Sequence, residues 1–172
     1  YDTRNLPYAM AAFVMGHDIK GARGMVSLPR RISLAPDGTV RMEIHPLVAK
    51  RFLFRSTELK IRQTHFPLLV QATFKEGSYL KLGHFAVYLT GKTLHIDRRR
   101  AMDRPSRHVR AETAAIEVAG PKAAVAIFMD QDVCEVAAEG RIASFITYDN
   151  ATAITHEGLE NLMMFTVNHT KS

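Results

Sequence analysis

The sequence predicts an all-β protein, a two-sheet antiparallel β-sandwich of the jelly-roll-like kind. Short segments in which apolar and polar residues alternate recur along the chain, and the segment from Val40 to Ile44 shows the pattern clearly. Turn signals containing Gly or Pro separate these segments, and no long helical pattern alternates with them. About ten to twelve strands, each with one apolar face, bury those faces when two sheets pack together.

The order of elements follows from the turn signals and the apolar periodicity. Hairpin turns are predicted at Asp37-Gly38 and around Gly91, Gly120 and Gly140. One short helix is predicted at 46–52, because Pro46 suits a first helical turn. Two short extended segments are predicted at 23–28 and 31–34, around Pro29, and strands are predicted at 40–44, 59–63, 68–74, 79–82, 84–89, 93–97, 111–118, 123–130, 133–138, 142–148 and 162–167.

The composition is that of one domain with a hydrophobic core. The chain has 172 residues and 47% of them are hydrophobic, so folding needs neither a structural metal nor a disulfide. The single cysteine, Cys134, cannot form an internal disulfide. We predict no cofactor and no metal, and both a cytoplasmic and a secreted location agree with this cysteine usage.

The beginning of the chain predicts neither a signal peptide nor a membrane span. Because residue 1 is Tyr1, we expect a processed product or a fragment of a longer chain. No basic segment leads into an apolar one, and the apolar stretch 9–15 is shorter than the roughly 20 residues that a span needs. The first 22 residues do not follow the pattern of the rest. We therefore divide the chain into a linker or remnant of a preceding domain at 1–22 and a sandwich at 23–172.

The formal net charge of +6 raises the question of nucleic acid as a partner. The basic residues are scattered except for a cluster between Arg98 and Arg110. A charged run of this kind is usually a solvated loop, and this one has no interleaved aromatic residues on which bases could stack. The sequence therefore argues against nucleic-acid binding, for which a steep salt dependence would be the sign.

Four segments carry a resemblance to a known family. The residues R-G-M-V-S-L-P-R-R-I-S-L at 23–34 are followed by the Asp37-Gly38 turn with M-E-I-H-P, by K-T-L-H-I-D-R-R-R at 92–100 and by V-A-I-F-M-D-Q-D-V-C-E-V at 125–136. In this order they resemble motifs of the C-terminal β-sandwich of glycoside hydrolase family 32, the invertases, fructanases and levanase-like β-fructosidases. Arg31 and Arg99 stand where the family usually has Glu and Ser, which indicates a divergent member.

The resemblance implies that the chemistry belongs to another part of the enzyme. Family 32 enzymes are retaining β-fructofuranosidases that use a nucleophilic Asp and an acid/base Glu from a five-bladed N-terminal propeller, with no cofactor. The motifs that carry those acids are W-M-N-D-P-N, R-D-P and E-C. This chain has no Trp, and its Asp103-Arg104-Pro105 and Cys134-Glu135 run in the wrong order. We therefore assign no catalytic, cofactor-binding or metal-binding residue and expect the chain to be inactive alone.

The same resemblance implies partners. These are the propeller of the same enzyme, further copies of the chain and, in the intact enzyme, a fructoside. Residues 1–22 would then be a linker or a remnant of the last propeller blade.

Other side chains have simpler structural interpretations than active-site roles. Asp130, Asp132 and Glu135 are predicted to be turn and surface acids rather than a calcium or acid/base site, because no calcium-loop pattern is present. Cys134 lies in an apolar strand and is predicted to be a small buried hydrophobe. The histidines, among them His84, His95 and His108, lack the short spacing of zinc motifs.

Glu135 has a further predicted role, since it matches a glutamate of the family's sandwich motif. We predict that it pairs with a basic residue, with the Asp97-Arg98 motif as the candidate, and pins the sheets together. A different class of function, a free-standing carbohydrate-binding β-sandwich, would use exposed aromatic rings. The chain lacks Trp, and Tyr79, Tyr88 and Tyr148 lie in strand patterns that predict core or rim packing.

Overall fold

Strands dominate the computed structural model, which describes residues 8–11, 13–14, 25–56, 67–83, 85–99, 113–130, 133–146 and 153–167. The predicted all-β class is confirmed. The elements follow one another as β1 (Tyr8–Met10), β2 (Phe13–Val14), β3 (Met25–Val26), β4 (Arg30–Leu34), β5 (Val40–Ile44), α1 (Pro46–Ala49), β6 (Phe52–Ser56), β7 (Leu68–Lys75), β8 (Tyr79–Leu82), β9 (Phe85–Thr90), β10 (Thr93–Asp97), β11 (Thr113–Glu117), β12 (Lys122–Asp130), β13 (Val133–Ala138), β14 (Arg141–Ile146), β15 (Ile154–Glu157) and β16 (Glu160–Val167).

Two antiparallel sheets form the predicted sandwich. A five-stranded sheet has the order β11-β10-β9-β8-β15, and a six-stranded sheet has the order β14-β13-β12-β7-β16-β6. Buried residues alternate with partly exposed ones along strands such as β8 and β10, so each strand turns one apolar face inward. The buried inner side chains form one cluster that includes Phe74, Phe85 and Ile127. The core therefore lies between the two sheets, as in other sandwiches.

A third layer covers part of the outer face of the six-stranded sheet. Strands β1, β4 and β5 form a three-stranded antiparallel sheet, and β2 pairs with β3. Phe52, Leu69 and Phe128 are buried on the outer face, and Leu28, Ile44 and Val48, among other partly buried residues, pack against them. We call the part of this layer from Leu28 to Val48 the N-terminal layer, because its residues pack on the outer face of the six-stranded sheet. The division at residue 22 stays a prediction.

Three of the four predicted hairpin turns are confirmed. Asp37-Gly38 joins β4 to β5, Gly91 lies between β9 and β10, and Gly140 lies between β13 and β14. The hairpin predicted around Gly120 is wrong, because β11 belongs to the five-stranded sheet and β12 to the six-stranded sheet. Both strands have an inward apolar face, so their sequence pattern is the same whether they pair with each other or face each other.

Other boundaries differ from the predicted ones at particular elements. The helix ends at Ala49 rather than continuing to residue 52, and Phe52 already begins β6, where its ring is buried. Strand β15 was missed, since its exposed residues Thr155, His156 and Glu157 give no apolar alternation. The strand predicted at 59–63 lies outside the described residues.

Gly140 supports one prediction about the β13–β14 turn. Its φ is +71°, a Cβ there would lie 3.0 Å from Cγ of Arg41, and its carbonyl accepts a hydrogen bond from the Met42 amide at 2.7 Å. Because the left-handed region is strained for residues with a Cβ, we expect Gly140→Ala to lower the free energy of unfolding by about 1–2 kcal/mol. Urea unfolding measures this change. Gly120→Ala is the control, because a Cβ at Gly120 meets nothing within 4 Å; an equal loss in both variants would contradict the role of the turn.

Candidate functional site

The main polar feature of the described chain is a buried charged cluster under the N-terminal layer. Glu135 is 0% exposed and Arg30 only 5% exposed. Oε1 of Glu135 accepts a hydrogen bond from the Leu28 amide at 2.8 Å, and Oε2 lies 3.4 Å from Nη2 of Arg30. The same guanidinium nitrogen also donates to Oγ of Ser144. We call Glu135, Arg30, Ser144 and the Leu28 amide the Glu135 cluster.

The alternation of β13 explains why a glutamate stands at this place. Cys134 and Val136 point into the core between the sheets, so Glu135, which lies between them in sequence, points to the opposite face. Its partner across the ladder on β14 is Ser144, which lies on the same face. The outer face of the six-stranded sheet therefore presents a carboxylate and a hydroxyl to the N-terminal layer, and Arg30 at the start of β4 binds both.

The cluster joins different elements from those predicted. The partner of Glu135 is Arg30, and the prediction that it lies in the Asp97-Arg98 motif is wrong. Asp97 instead pairs with Arg99, with 2.6 Å between Nη2 of Arg99 and Oδ2 of Asp97. The Arg98 guanidinium lies 5.7 Å from the centre of the Phe145 ring. The physical reason is that Glu135 faces outward, away from the five-stranded sheet. The pair thus fastens the N-terminal layer to the six-stranded sheet.

Arg30 was not singled out from the sequence, although a signal for it exists. It is the Arg of the S-L-P-R stretch, it is followed by a second basic residue, and only the first of the two is buried. Arg31 pairs with Glu43 across the β4–β5 ladder, where both side chains are more than 40% exposed. Alternation along β4 decides which arginine faces the sheet, and the sequence alone did not fix the face that β4 buries.

Burial raises the pKa of Glu135 above its ordinary value of 4.5, and the Leu28 amide and the Arg30 guanidinium offset only part of this effect. The folded protein therefore holds this proton to higher pH than the unfolded chain does. The stability that this group contributes is fully present below pH 4.5 and is lost as the pH rises through the raised pKa.

A Glu135→Gln variant should lack the pH dependence of stability that Glu135 causes in the native protein. Glutamine has nearly the same shape as glutamate and does not titrate. As the pH rises from 4.5, the native protein loses the contribution of Glu135 and the variant does not, so the free energy of unfolding of the variant should rise relative to that of the native protein. Urea unfolding of both proteins at a series of pH values measures the difference. A difference that stays constant over this range would show that the pKa of Glu135 is not raised.

The remaining candidate acids and histidines do not converge in the part of the chain that the structure describes. Asp130 is exposed at the end of β12, as predicted for a surface acid, whereas Glu135 is buried, which corrects its grouping with the turn acids. Asp132, His84 and His108 lie outside the described residues, as does most of the Arg98–Arg110 cluster. No group of three or more His, Cys, Asp or Glu that could hold a metal occurs among the described residues.

Cys134 is the small buried hydrophobe that the sequence predicted. It is 0% exposed in the core. Burial, with a smaller effect of the neighbouring Glu135 charge, raises the pKa of its thiol well above the ordinary value. A thiol that is neutral and buried is a poor nucleophile.

The sequence predicted core or rim packing for the tyrosines of the five-stranded sheet, and the structure agrees with the rim rather than the core. Tyr79 and Tyr88 are partly exposed on the outer face of that sheet. The ring of Tyr88 stacks on that of His95, with 4.9 Å between ring centres and 18° between planes. Tyr148 lies outside the described residues.

A groove of about 490 Å³ lies on the outer face of the six-stranded sheet beside the Glu135 cluster. Small residues, Ala124, Ala126 and Ala137, contribute to its lining, and Met42 of β5 and Met163 of β16 also line it. The groove therefore continues the surface on which the N-terminal layer already lies. Its lining is mainly apolar and suits packing against another part of a protein better than acid–base chemistry.

No protein-family model and no curated protein matches this sequence, but solved structures match its fold. The fold is similar to part of a class of carbohydrate-active enzymes. With a sucrose-6-phosphate hydrolase from Lactobacillus gasseri the TM-score is 0.66 at 15% identity, over 84% of this chain and 34% of that one. With fructan 1-exohydrolase IIa from Cichorium intybus it is 0.65 at 10% identity, over 91% and 44%.

The family that the motifs predicted is among these matches. A glycoside hydrolase family 32 protein from Bifidobacterium adolescentis matches with a TM-score of 0.56 at 13% identity, over 86% of this chain and 26% of that chain. The predicted resemblance to family 32 is thus confirmed at the level of the fold. The chain spans less than half the length of each of these enzymes. No helix among the described residues is long and apolar enough to cross a membrane.

Proposed function

We propose that this chain is the C-terminal β-sandwich module of a β-fructofuranosidase-type glycoside hydrolase of family 32. In the intact enzyme it packs against a five-bladed propeller that carries the catalytic carboxylates, and it stabilises that propeller. By itself it hydrolyses no glycosidic bond and needs no cofactor. The observation that carries the proposal is the fold match over 84% of this chain to only 34% of a sucrose-6-phosphate hydrolase.

The order of the four sequence motifs supports the same assignment. The R-G-M-V-S-L-P-R-R-I-S-L segment resembles the stretch that leads from propeller to sandwich in the family, and it contains Leu28 and Arg30, which Glu135 binds. A carboxylate that holds Leu28 and Arg30 therefore holds the part of the chain through which a propeller would be attached. A stabilising role follows from this position, because the attachment is fixed to a buried network rather than to a free linker.

A retaining mechanism needs two carboxyl groups about 5 Å apart at the scissile bond, one as nucleophile and one as acid/base. Glu135, the fully buried carboxylate of the described chain, is occupied by Arg30 and a backbone amide. It serves as a structural anion, and it is sealed from any substrate. This use of the carboxylate supports the proposal that the chemistry belongs to the propeller.

The stabilising role is tested by mixing two separately produced polypeptides, this chain and the propeller portion of the same enzyme. We expect the two to elute together in size-exclusion chromatography and the melting temperature of the propeller to rise in the mixture. The groove variant Met163→Arg, which places a charge on the mainly apolar surface, should weaken the association, whereas Glu157→Arg on the other sheet should not. Two components that elute apart, with an unchanged melting temperature, would contradict the role.

A further inference from the structure

The short helix α1 and the strand β6 form a corner at which apolar side chains are exposed. Leu47 on α1 is 67% exposed, and Leu53 and Phe54 on β6 are 72% and 47% exposed. In the described residues after β6, no large apolar side chain is exposed to this extent. We call residues 47–55 the α1–β6 corner. Exposed apolar groups that lie together in this way are typical of an interaction surface.

Strand β6 presents a backbone edge as well as side chains. Among the described residues it is the last strand on its side of the six-stranded sheet, and β16 is its neighbour. Phe54 pairs with Thr166 and Phe52 pairs with Val167, so Leu53 is the extra residue of a β-bulge. An end strand has a row of backbone N–H and C=O groups that no neighbouring strand uses, and an extended polypeptide can add to it.

The corner carries positive charge that no acid balances. Lys50, Arg51 and Arg55 are exposed, and in the described part of the chain none of their side chains has an ion-pair partner. By contrast, Lys122 on β12 pairs with a glutamate. The sequence 45–66 contains five Lys and Arg residues and one acid, an excess that makes up most of the net charge of +6. Exposed cations without partners attract a ligand of opposite charge.

A groove beside α1 adds an apolar recess to the corner. It has a volume of about 440 Å³ and is lined by Pro29, His45, Leu47, Val48 and Arg51. An apolar side chain of a partner can pack on Leu47 and Val48 there, while Arg51 in the same groove is available to an acid. The groove therefore suits a partner that carries both kinds of side chain.

From these observations we propose that the α1–β6 corner binds an extended, acidic polypeptide segment with apolar side chains. The segment lies along β6, its acids pair with Arg51 and Arg55, and its apolar side chains cover Leu53 and Phe54. This binding is independent of the function proposed above, which places the propeller contact in the groove lined by Met163.

Two alternative explanations of the corner agree less well with its side chains. A second copy of this chain would bring the same three cations against each other, which disfavours it as the occupant. Protection of the sheet edge against unwanted pairing would account for the arginines and the bulge, but it would not leave Leu53 and Phe54 exposed.

Fluorescence anisotropy of the whole chain with a labelled seven-residue peptide in which Asp and Val alternate tests the proposal. The salt concentration is about 0.15 M, so that long-range attraction is screened. We expect saturable binding with a Kd of about 100 μM or tighter. A peptide with Gly in place of each Val, and one with Pro at its centre, should each bind about tenfold more weakly. The first lacks the apolar contacts and the second lacks a backbone donor.

Variants of β6 separate this site from the general charge of the protein. Arg55→Glu and Phe54→Ala should each weaken binding of the Asp-Val peptide by about tenfold or more. Lys92→Glu is the matched control, because Lys92 is exposed in the turn between β9 and β10 on the other sheet. This variant should bind the peptide as the native protein does. Unfolding curves show whether each variant is folded.

Five results would overturn the proposal. The first three are no saturable binding of the Asp-Val peptide, equal binding by the native protein and the folded Phe54→Ala/Arg55→Glu double variant, and equal losses in Arg55→Glu and Lys92→Glu. The fourth is tighter binding of a twenty-nucleotide oligothymidylate or of phosphatidylserine vesicles than of the peptide. The fifth is a dimer of the native chain that Phe54→Ala abolishes, because the occupant would then be a second copy.

Discussion

Replacement of Glu135 by alanine should destabilise the protein by about 3–5 kcal/mol, because it leaves a buried positive charge without its partner. Arg30 is only 5% exposed, and its Nε already has no hydrogen-bond partner in the described structure. The substitution also removes the acceptor of the Leu28 amide. Urea unfolding at neutral pH measures the loss.

Glu43→Ala is the matched control for this substitution. Glu43 also pairs with an arginine, Arg31, but both side chains are more than 40% exposed, so the loss should stay below about 1 kcal/mol. A double-mutant cycle of Glu135→Ala with Arg30→Ala should give a coupling energy above about 1 kcal/mol. Equal losses for Glu135→Ala and Glu43→Ala, or a coupling near zero, would show that the cluster does not fasten the N-terminal layer.

Phe128→Ala should have a comparable effect through the apolar part of the same attachment. Its ring is 5% exposed and meets the ring of Phe52 edge-on, with 5.5 Å between their centres. Removing a buried phenylalanine side chain costs about 3–5 kcal/mol because a cavity remains. We expect this loss in urea unfolding, together with faster hydrogen exchange of the amides in β4 and β5, which lie on this face.

Phe54→Ala separates this effect from the general loss of a phenylalanine. Phe54 is on β6 of the same sheet and is 47% exposed, so its removal should change the free energy of unfolding by less than about 1 kcal/mol. Hydrogen exchange in β4 and β5 should not change in this control. If Phe128→Ala destabilised the protein without faster exchange in β4 and β5, the core would depend on Phe128 but the attachment of the layer would not.

The sequence was sufficient for the sandwich because its signals are local. Alternation along Val40–Ile44 and the turn residues at Asp37-Gly38 and Gly140 predict strands and their direct hairpins, and the structure contains them. The sequence was insufficient where two strands with the same pattern can either pair or face each other across the core. The connection around Gly120 is of this kind, and its strands belong to different sheets.

The candidate site was only half predictable. A pairing role for Glu135 was predicted from its match to a glutamate of the family's sandwich motif, whereas its grouping with the turn and surface acids was wrong, because the residue is buried. A buried charge of this kind needs a partner. The partner did not follow, because Arg30 lies more than a hundred positions away in sequence and several other arginines were available. The sequence also left open whether Tyr79 and Tyr88 lie in the core or at its rim, because an aromatic residue in an alternating strand suits either face.

Sucrose and inulin hydrolysis tests the central claim most directly. Fructose release is measured for this chain alone, for the separately produced propeller of the same enzyme alone, and for their mixture. The account predicts no release by this chain alone and more release by the mixture than by the propeller alone. Fructose release by this chain alone would contradict it, because that result requires catalytic carboxylates within these 172 residues.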